Sequence, residues 1–143
     1  ASAREEQLLH KEYLAIVKGR FEEQSGTLTY TLGKEKGIRG RSVTVDGQNC
    51  ITNYEVIIEG NFFSLIKVHI ETGRLHQIRA GMAYFGHPLI GDRLYGGSMH
   101  AMKRPALHCW KVEFIHPKTK KQIKIECKLP DDMQKVVDRL QEK

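Results

Sequence analysis

Two alternating runs meet at a glycine near the middle of this chain, and they restrict its fold more than any other feature. Between Cys50 and Ile58, the residues Cys50, Thr52, Tyr54, Val56 and Ile58 share one side of an extended strand. Between Phe62 and Ile70, the residues Phe62, Ile66, Val68 and Ile70 do the same. A period of two marks a strand with one face against a core. Gly60-Asn61 between the runs is a turn signal, so the pair is expected to be an antiparallel hairpin.

Further strands are expected on both sides. Lys11 to Val17 alternates and ends at Gly19. Ala106 to His116 puts Trp110, Val112 and Phe114 on one face. Pro117 to Lys120 turns the chain, and Gln122 to Lys128 returns with Ile123, Ile125 and Cys127 inward. Gly26 to Gly47 holds five glycines and the basic residues Lys34, Lys36, Arg39 and Arg41, and is expected to be a hairpin or an exposed loop excursion. Helical spacing occurs twice. Leu75, Ile78 and Met82 form one face of a helix that Gly86 stops and Pro88 keeps from continuing. Asp131 can cap a closing helix that buries Met133, Val136, Val137 and Leu140. Leu89 to His100 is rich in glycine and reads as loop. Strands outnumber helices, so the expected class is α+β, with a mixed, mainly antiparallel sheet and a few helices.

Composition excludes several alternatives. With 143 residues, 40% apolar and 28% charged, and no repeat or linker, residues 1–143 read as one soluble unit. No apolar run approaches the ~20 residues of a membrane span, so no membrane partner is expected. Ala1 to Gln7 lack the apolar stretch of a secretory signal. Cys50, Cys109 and Cys127 are odd in number and contain no C-x-x-C pair, against a disulfide framework or a cysteine zinc site. Cys50 and Cys109 alternate with core positions and read as buried thiols. The seven histidines show no metal-ligand spacing, and no metal is expected. A cytoplasmic location fits, or an organelle in a eukaryote. The 23 Lys and Arg against 17 Asp and Glu give a formal charge of +6, a mild lean toward a polyanion.

The densest chemistry lies in Glu71-Thr-Gly-Arg-Leu-His-Gln-Ile-Arg79 and in Phe85-Gly-His-Pro-Leu-Ile-Gly-Asp-Arg-Leu-Tyr-Gly-Gly97. His76, Arg79 and Ala83 share a helix face opposite to Ile78 and Met82. An arginine beside a strand-to-helix turn can grip a carboxylate or phosphate with two parallel N–H groups. Most helical arginines make only solvated ion pairs, so spacing alone leaves both readings open. Arg93, Lys103 and Arg104 lie in the loop after that helix, where phosphate contacts near Arg79 are expected. The basic run Lys118 to Lys128 is largely one solvated strand face. No phosphate loop, zinc-protease helix, nucleophile elbow or dinucleotide fingerprint occurs.

These residues resemble the RluA-type RNA pseudouridine synthases. Thr72 to Arg79, Gly86-His-Pro88, Ile90-Gly-Asp92 and Leu94-Tyr-Gly96 follow that family's signature in order and spacing. Lys11-Glu-Tyr13 with Ala15, Val17 and Gly19 is similar to its tyrosine strand. Leu107-His108, Phe114 and His116-Pro117 resemble a later strand, and Leu129-Pro130 the approach to its closing helix. The resemblance spans about Lys11 to Met133.

The resemblance implies a reaction that converts uridine to pseudouridine in RNA, breaking the N-glycosidic bond and rejoining the uracil through carbon. It implies no metal and no organic cofactor, an aspartate nucleophile, and a target base flipped from its stack. It implies that Tyr13 and Arg79 are the catalytic positions, the tyrosine beside the base and the arginine paired with the nucleophile. It implies Leu107 against the base, with Arg74, His76, Arg93, Lys103 and Arg104 on the RNA, either ribosomal or transfer RNA. The family's nucleophile lies in an Arg-Leu-Asp stretch before the tyrosine strand. Here the aspartates are Asp46, Asp92, Asp131, Asp132 and Asp138, none follows a leucine, and Asp92 reads as structural. The expectation is therefore the C-terminal part of a pseudouridine synthase catalytic domain, inactive alone, whose partner is the missing N-terminal half. The alternative is a non-catalytic RNA-binding or interaction protein of the same fold.

Overall fold

A computed structural model describes residues 9–34, 40–74 and 76–141, with only the backbone of Lys34. Its strands are β1 (Leu9–Lys18), β2 (Ser25–Lys34), β3 (Arg41–Val43), β4 (Gln48–Glu59), β5 (Phe63–Ile70), β6 (Leu107–Ile115) and β7 (Gln122–Glu126). Its helices are α1 (Gln77–Tyr84) and α2 (Asp131–Gln141). One sheet takes all seven strands in the order β3-β2-β4-β5-β1-β6-β7. Every neighbouring pair is antiparallel. Among the described residues the α+β expectation holds, with a sheet more uniformly antiparallel than mixed.

The central strands bury both faces, and each face carries one helix. Ala15 and Val17 of β1 join Ile66 and Val68 of β5 and pack under Ile78 and Met82 of α1. Ile16 of β1 and Leu65 of β5 point the other way, onto Met133, Val136 and Val137 of α2. That is the period-two rule applied on both sides at once. The fully buried trio Ala15, Ile16, Val17 therefore reads as a continuous apolar run rather than an alternation.

The α1 helix ends as the sequence requires. Gly86 takes φ 92, the left-handed region that glycine adopts without a Cβ penalty. The His87 N–H reaches the Met82 carbonyl at 2.7 Å and the Gly86 N–H the Ala83 carbonyl at 3.1 Å. Those two bonds form a Schellman stop and satisfy carbonyls the helix would leave open. The chain then passes along the end of β1. The Lys18 N–H bonds Pro88, the Ile90 N–H bonds Ile16, and the Ile16 N–H bonds Ala106. Leu89 faces the α1 core and Ile90 the α2 core, so this loop wraps between the two layers.

Four expectations need correction. The β4–β5 register shifts between Val56 and Ile58, so Val56 opposes Ile66 while Ile58 opposes Leu65. That bulge sends Ile58 to the α2 face and leaves Ile57 exposed. Phe62 precedes β5 and is 79% exposed instead of sharing the face of Ile66. A second bulge, opposite Glu12 and Tyr13, leaves Trp110 out of the pairing with β1 and interrupts the alternation expected to join it to Val112 and Phe114. At β7, an edge strand, Ile125 and Cys127 are exposed instead of inward. For the Gly26–Gly47 segment, the hairpin is the alternative that the described residues take. β2 pairs with β4 from Ser25 to Leu32, and β3 closes a hairpin onto β2. Leu75, Lys36, Arg39 and the Lys34 side chain lie outside the described residues.

Candidate active site

The signature segment between β5 and α1 is anchored by one buried amide. Gln77 is 2% exposed and makes four hydrogen bonds. Its Nε2 donates to the Ile51 carbonyl at 3.1 Å and to Thr52 Oγ1 at 2.9 Å. Its Oε1 accepts from Thr72 Oγ1 at 2.9 Å and from the Arg74 N–H at 3.0 Å. Thr72 Oγ1 accepts in turn from the Ile51 N–H. A buried amide with every donor and acceptor satisfied fixes a backbone more firmly than an apolar side chain could. The turn before α1 is thereby tied to β4, and Arg74 is presented on its outside, its Nε donating to the Asn49 carbonyl.

This tether and the bulge in β6 bring five predicted residues to one concavity. Tyr13 from β1, Leu107 from β6, and Arg74, His76 and Arg79 from the turn and α1 line a cavity of about 200 Å³. It adjoins a wider depression of about 470 Å³, with which it shares Tyr13, Ile70 and Arg74. The Tyr13 ring is half-buried, and burial, with a smaller contribution from the nearby Cys109 thiol, pushes its phenol above the ordinary 10. Tyr13 therefore stays a neutral phenol near neutral pH, and its hydroxyl makes no hydrogen bond to the described residues. An aromatic face, an aliphatic side chain and flanking cations form a surface suited to a planar, anion-bearing ligand.

Arg79 is not a solvated helix arginine. Its Nε donates to Asp92 Oδ2 at 2.8 Å and its Nη2 to Asp92 Oδ1 at 2.9 Å. Asp92 is fully buried, and Arg79 retains 21% side-chain exposure. The fork-on-fork bond raises the Arg79 pKa above its ordinary value, so the cation is permanent. One edge of the guanidinium is committed to Asp92. Nη1 and the second Nη2 hydrogen remain for the cavity that Arg79 lines. Asp92 is structural, as its loop context suggests, but its partner is Arg79 itself.

His76 sits at the start of α1 with φ 56, a left-handed conformation that costs a non-glycine residue of order 1–2 kcal/mol. Such strain persists only where the surroundings hold it. Here its Nδ1 lies 2.8 Å from the Tyr95 hydroxyl, which also accepts the Arg41 N–H at 2.8 Å. The Arg79 guanidinium lies over the Tyr95 ring, 5.2 Å from its centre. Burial first, and the Arg79 and Arg41 cations after it, hold the His76 pKa below 6.5 against the opposing pull of Asp92.

Three predicted residues are elsewhere. Arg104 makes a two-pronged bond to Asp132 at the start of α2, with both contacts at 2.8 Å. Lys103 bonds the Met99 carbonyl at 2.8 Å. Arg93 is exposed beside Asp92 and does not line the cavity. The sequence alone did not single out Tyr95, Gln77 or the backbone N–H of Arg41. Their importance comes from contacts across 19 to 54 positions, which no local period signals. Among the described residues, no three His, Cys, Asp or Glu side chains could hold a metal ion together. No described helix is long and apolar enough to cross a membrane.

Known proteins share the sequence pattern and the fold of this chain. The family profile described as RNA pseudouridylate synthase matches residues 1–84. The chain belongs to that RluA-type family. It is 39% identical over 138 residues to the uncharacterized RNA pseudouridine synthase YjbO of Bacillus subtilis (strain 168), covering 96% of this chain and 49% of that protein. It is 33% identical over 144 residues to ribosomal large subunit pseudouridine synthase D of Blochmanniella floridana, covering 89% of this chain and 45% of the relative. The chain thus spans about half the length of the curated relatives it matches. In fold it is similar to the human RNA pseudouridylate synthase domain containing 1, with a TM-score of 0.75 at 20% identity, over 96% of this chain and 68% of that one.

Proposed function

We propose that the cavity between Tyr13, Leu107 and Arg79 receives a flipped uridine of a structured RNA and forms one wall of a pseudouridine synthase active site. The observation that carries this is the convergence of Tyr13, Leu107, Arg74, His76 and Arg79, from three separate segments, on one cavity of about 200 Å³. In this reading the uracil packs between the Tyr13 ring and Leu107. An aspartate carboxylate outside these 143 residues attacks the sugar or the base, and the free edge of Arg79 keeps it ionised and aimed. The bond from sugar C1′ to N1 breaks, the uracil turns, a bond from C1′ to C5 forms, the bond to the aspartate is broken so that its carboxylate is regenerated, and the C5 proton leaves while N1 takes one up. Tyr13, held neutral, contributes its ring and a donor hydroxyl rather than a phenolate base.

The upstream half of the catalytic domain is the partner in this reading, and RNA is the substrate, ribosomal or transfer RNA. The 143 residues alone are then inactive, because none of the five aspartates has the nucleophile's context and the buried Asp92 is committed to Arg79. Release of tritium from RNA carrying 5-tritiated uridine reads the reaction directly. The reading expects none from this chain by itself, and turnover by the isolated chain contradicts it.

A further inference from the structure

We propose that His76 is an RNA-recognition residue that presents its Nε2–H to the cavity, and that Tyr95 is the positioning residue that holds it so. The hydrogens available to the two rings decide the arrangement. The Tyr95 oxygen accepts the Arg41 backbone N–H at 2.8 Å and lies 2.8 Å from His76 Nδ1. A phenol carries one hydrogen, and the arrangement that uses every group has the Tyr95 O–H donating to Nδ1. Nδ1 is then the acceptor, and the ring hydrogen sits on Nε2. Nε2 has no bond to the described residues, and it is the ring nitrogen left for the cavity that His76 lines beside Tyr13 and Leu107.

The charges around the ring favour the same state. Arg79 faces it from α1 and Arg41 from β3, and both oppose a second proton, while Asp92 alone favours one. His76 makes its contact with Tyr95 from a left-handed backbone conformation at the start of α1. A neutral imidazole donor suits an uncharged or singly charged oxygen of RNA, such as a base carbonyl or a phosphate oxygen. It does not depend on the long-range attraction that a lysine would supply.

The ligand part of this inference rests on the RNA-binding reading above; the tautomer part does not. Nitrogen-15 NMR of the histidine-labelled chain, with the His76 signal assigned by its loss in His76→Gln, reads the tautomer directly. The expected result is an Nε2–H ring at neutral pH, moving toward a mixture with Nδ1–H in Tyr95→Phe. An Nδ1–H or doubly protonated ring in the unaltered chain overturns the proposal. Titration with a uridine-containing RNA hairpin is the second arm. His76→Gln keeps an N–H near the Nε2 position and should bind within about twofold of the parent, whereas His76→Ala should lose about tenfold, the worth of one hydrogen bond. Shifts at Tyr13 and Leu107 without one at His76 overturn the recognition role alone. No shift at any cavity residue overturns the RNA reading, and the recognition role with it.

Discussion

Arg79 has two tasks that its chemistry alone can combine. One edge of the guanidinium neutralises the fully buried Asp92, and the other edge is left for the cavity. Lysine keeps the charge and loses the fork, so Arg79→Lys leaves part of a buried carboxylate unpaired. The expected cost is roughly 2–4 kcal/mol of stability, below the full loss of a buried pair because a cation remains. A urea titration of the two chains checks it; an unchanged midpoint would return Arg79 to an ordinary surface ion pair. His76 gives a pH effect at the same scale. Its pKa is depressed in the folded chain, so between that lower value and about 6.5 the unfolded chain binds more protons. The contribution of His76 to stability is therefore constant above 6.5 and is lost as pH falls through the folded value. Comparing the chain with His76→Gln between pH 7.5 and 5 should show the parent losing stability relative to the variant as pH falls. The identities of Arg79, His76 and Tyr13 were legible in the sequence because the signature places them. The Asp92 grip was not, because ion pairs across a loop leave no period to read.

The helix α1 is held at a fixed height over the sheet by a glycine. A Cβ at Gly81 would collide with the Tyr30 hydroxyl. That hydroxyl cannot simply move, since it bonds Thr52 Oγ1 and donates to the Gln77 carbonyl, both at 2.9 Å. Burial, the largest influence on it, pushes the Tyr30 phenol up to about 12, so it remains a donor across the accessible pH range. Gly81→Ala gains helix propensity of about 1 kcal/mol and loses about 1–3 kcal/mol to overpacking. The net expectation is a lower melting temperature with the Tyr30 contacts disturbed; a melting temperature raised by the alanine would contradict this packing. At this scale the sequence showed which segments are strands and helices, because the buried alternation of β4 and β5 and the Ile78–Met82 spacing are local. It did not show the bulges at Ile57 and Trp110, where a residue leaves the pairing and every later side chain changes face. Nor did it show that β2 is a full strand. Its Ser, Gly, Thr and Tyr residues pair with β4 through the backbone and bury only Leu32 among the described side chains.

Across the whole molecule, charge follows the cavity rather than the net excess of +6. Arg41, Arg74 and Arg79 lie around His76 and the turn before α1, whereas Arg104 is spent on Asp132 beside α2. RNA affinity should fall with salt, and Arg74→Ala should reduce the slope of log affinity against log salt by about one unit. Arg104→Ala should leave that slope unchanged and cost under about 1 kcal/mol of stability, as exposed pairs do. The opposite pattern would move the RNA to the α2 face. The central claim is that this cavity is the uridine site of a pseudouridine synthase, completed by a carboxylate from outside the chain. Tritium release from 5-tritiated uridine RNA is the test, measured for the 143 residues alone and for the same residues joined to the unmatched part of the Bacillus subtilis relative. The expected result is no release from the first, release from the second, and at least a hundredfold loss when the joined protein carries Arg79→Lys, the order expected for one misplaced preorganised contact. Release by the 143 residues alone, or full activity of the Arg79→Lys protein, would contradict it.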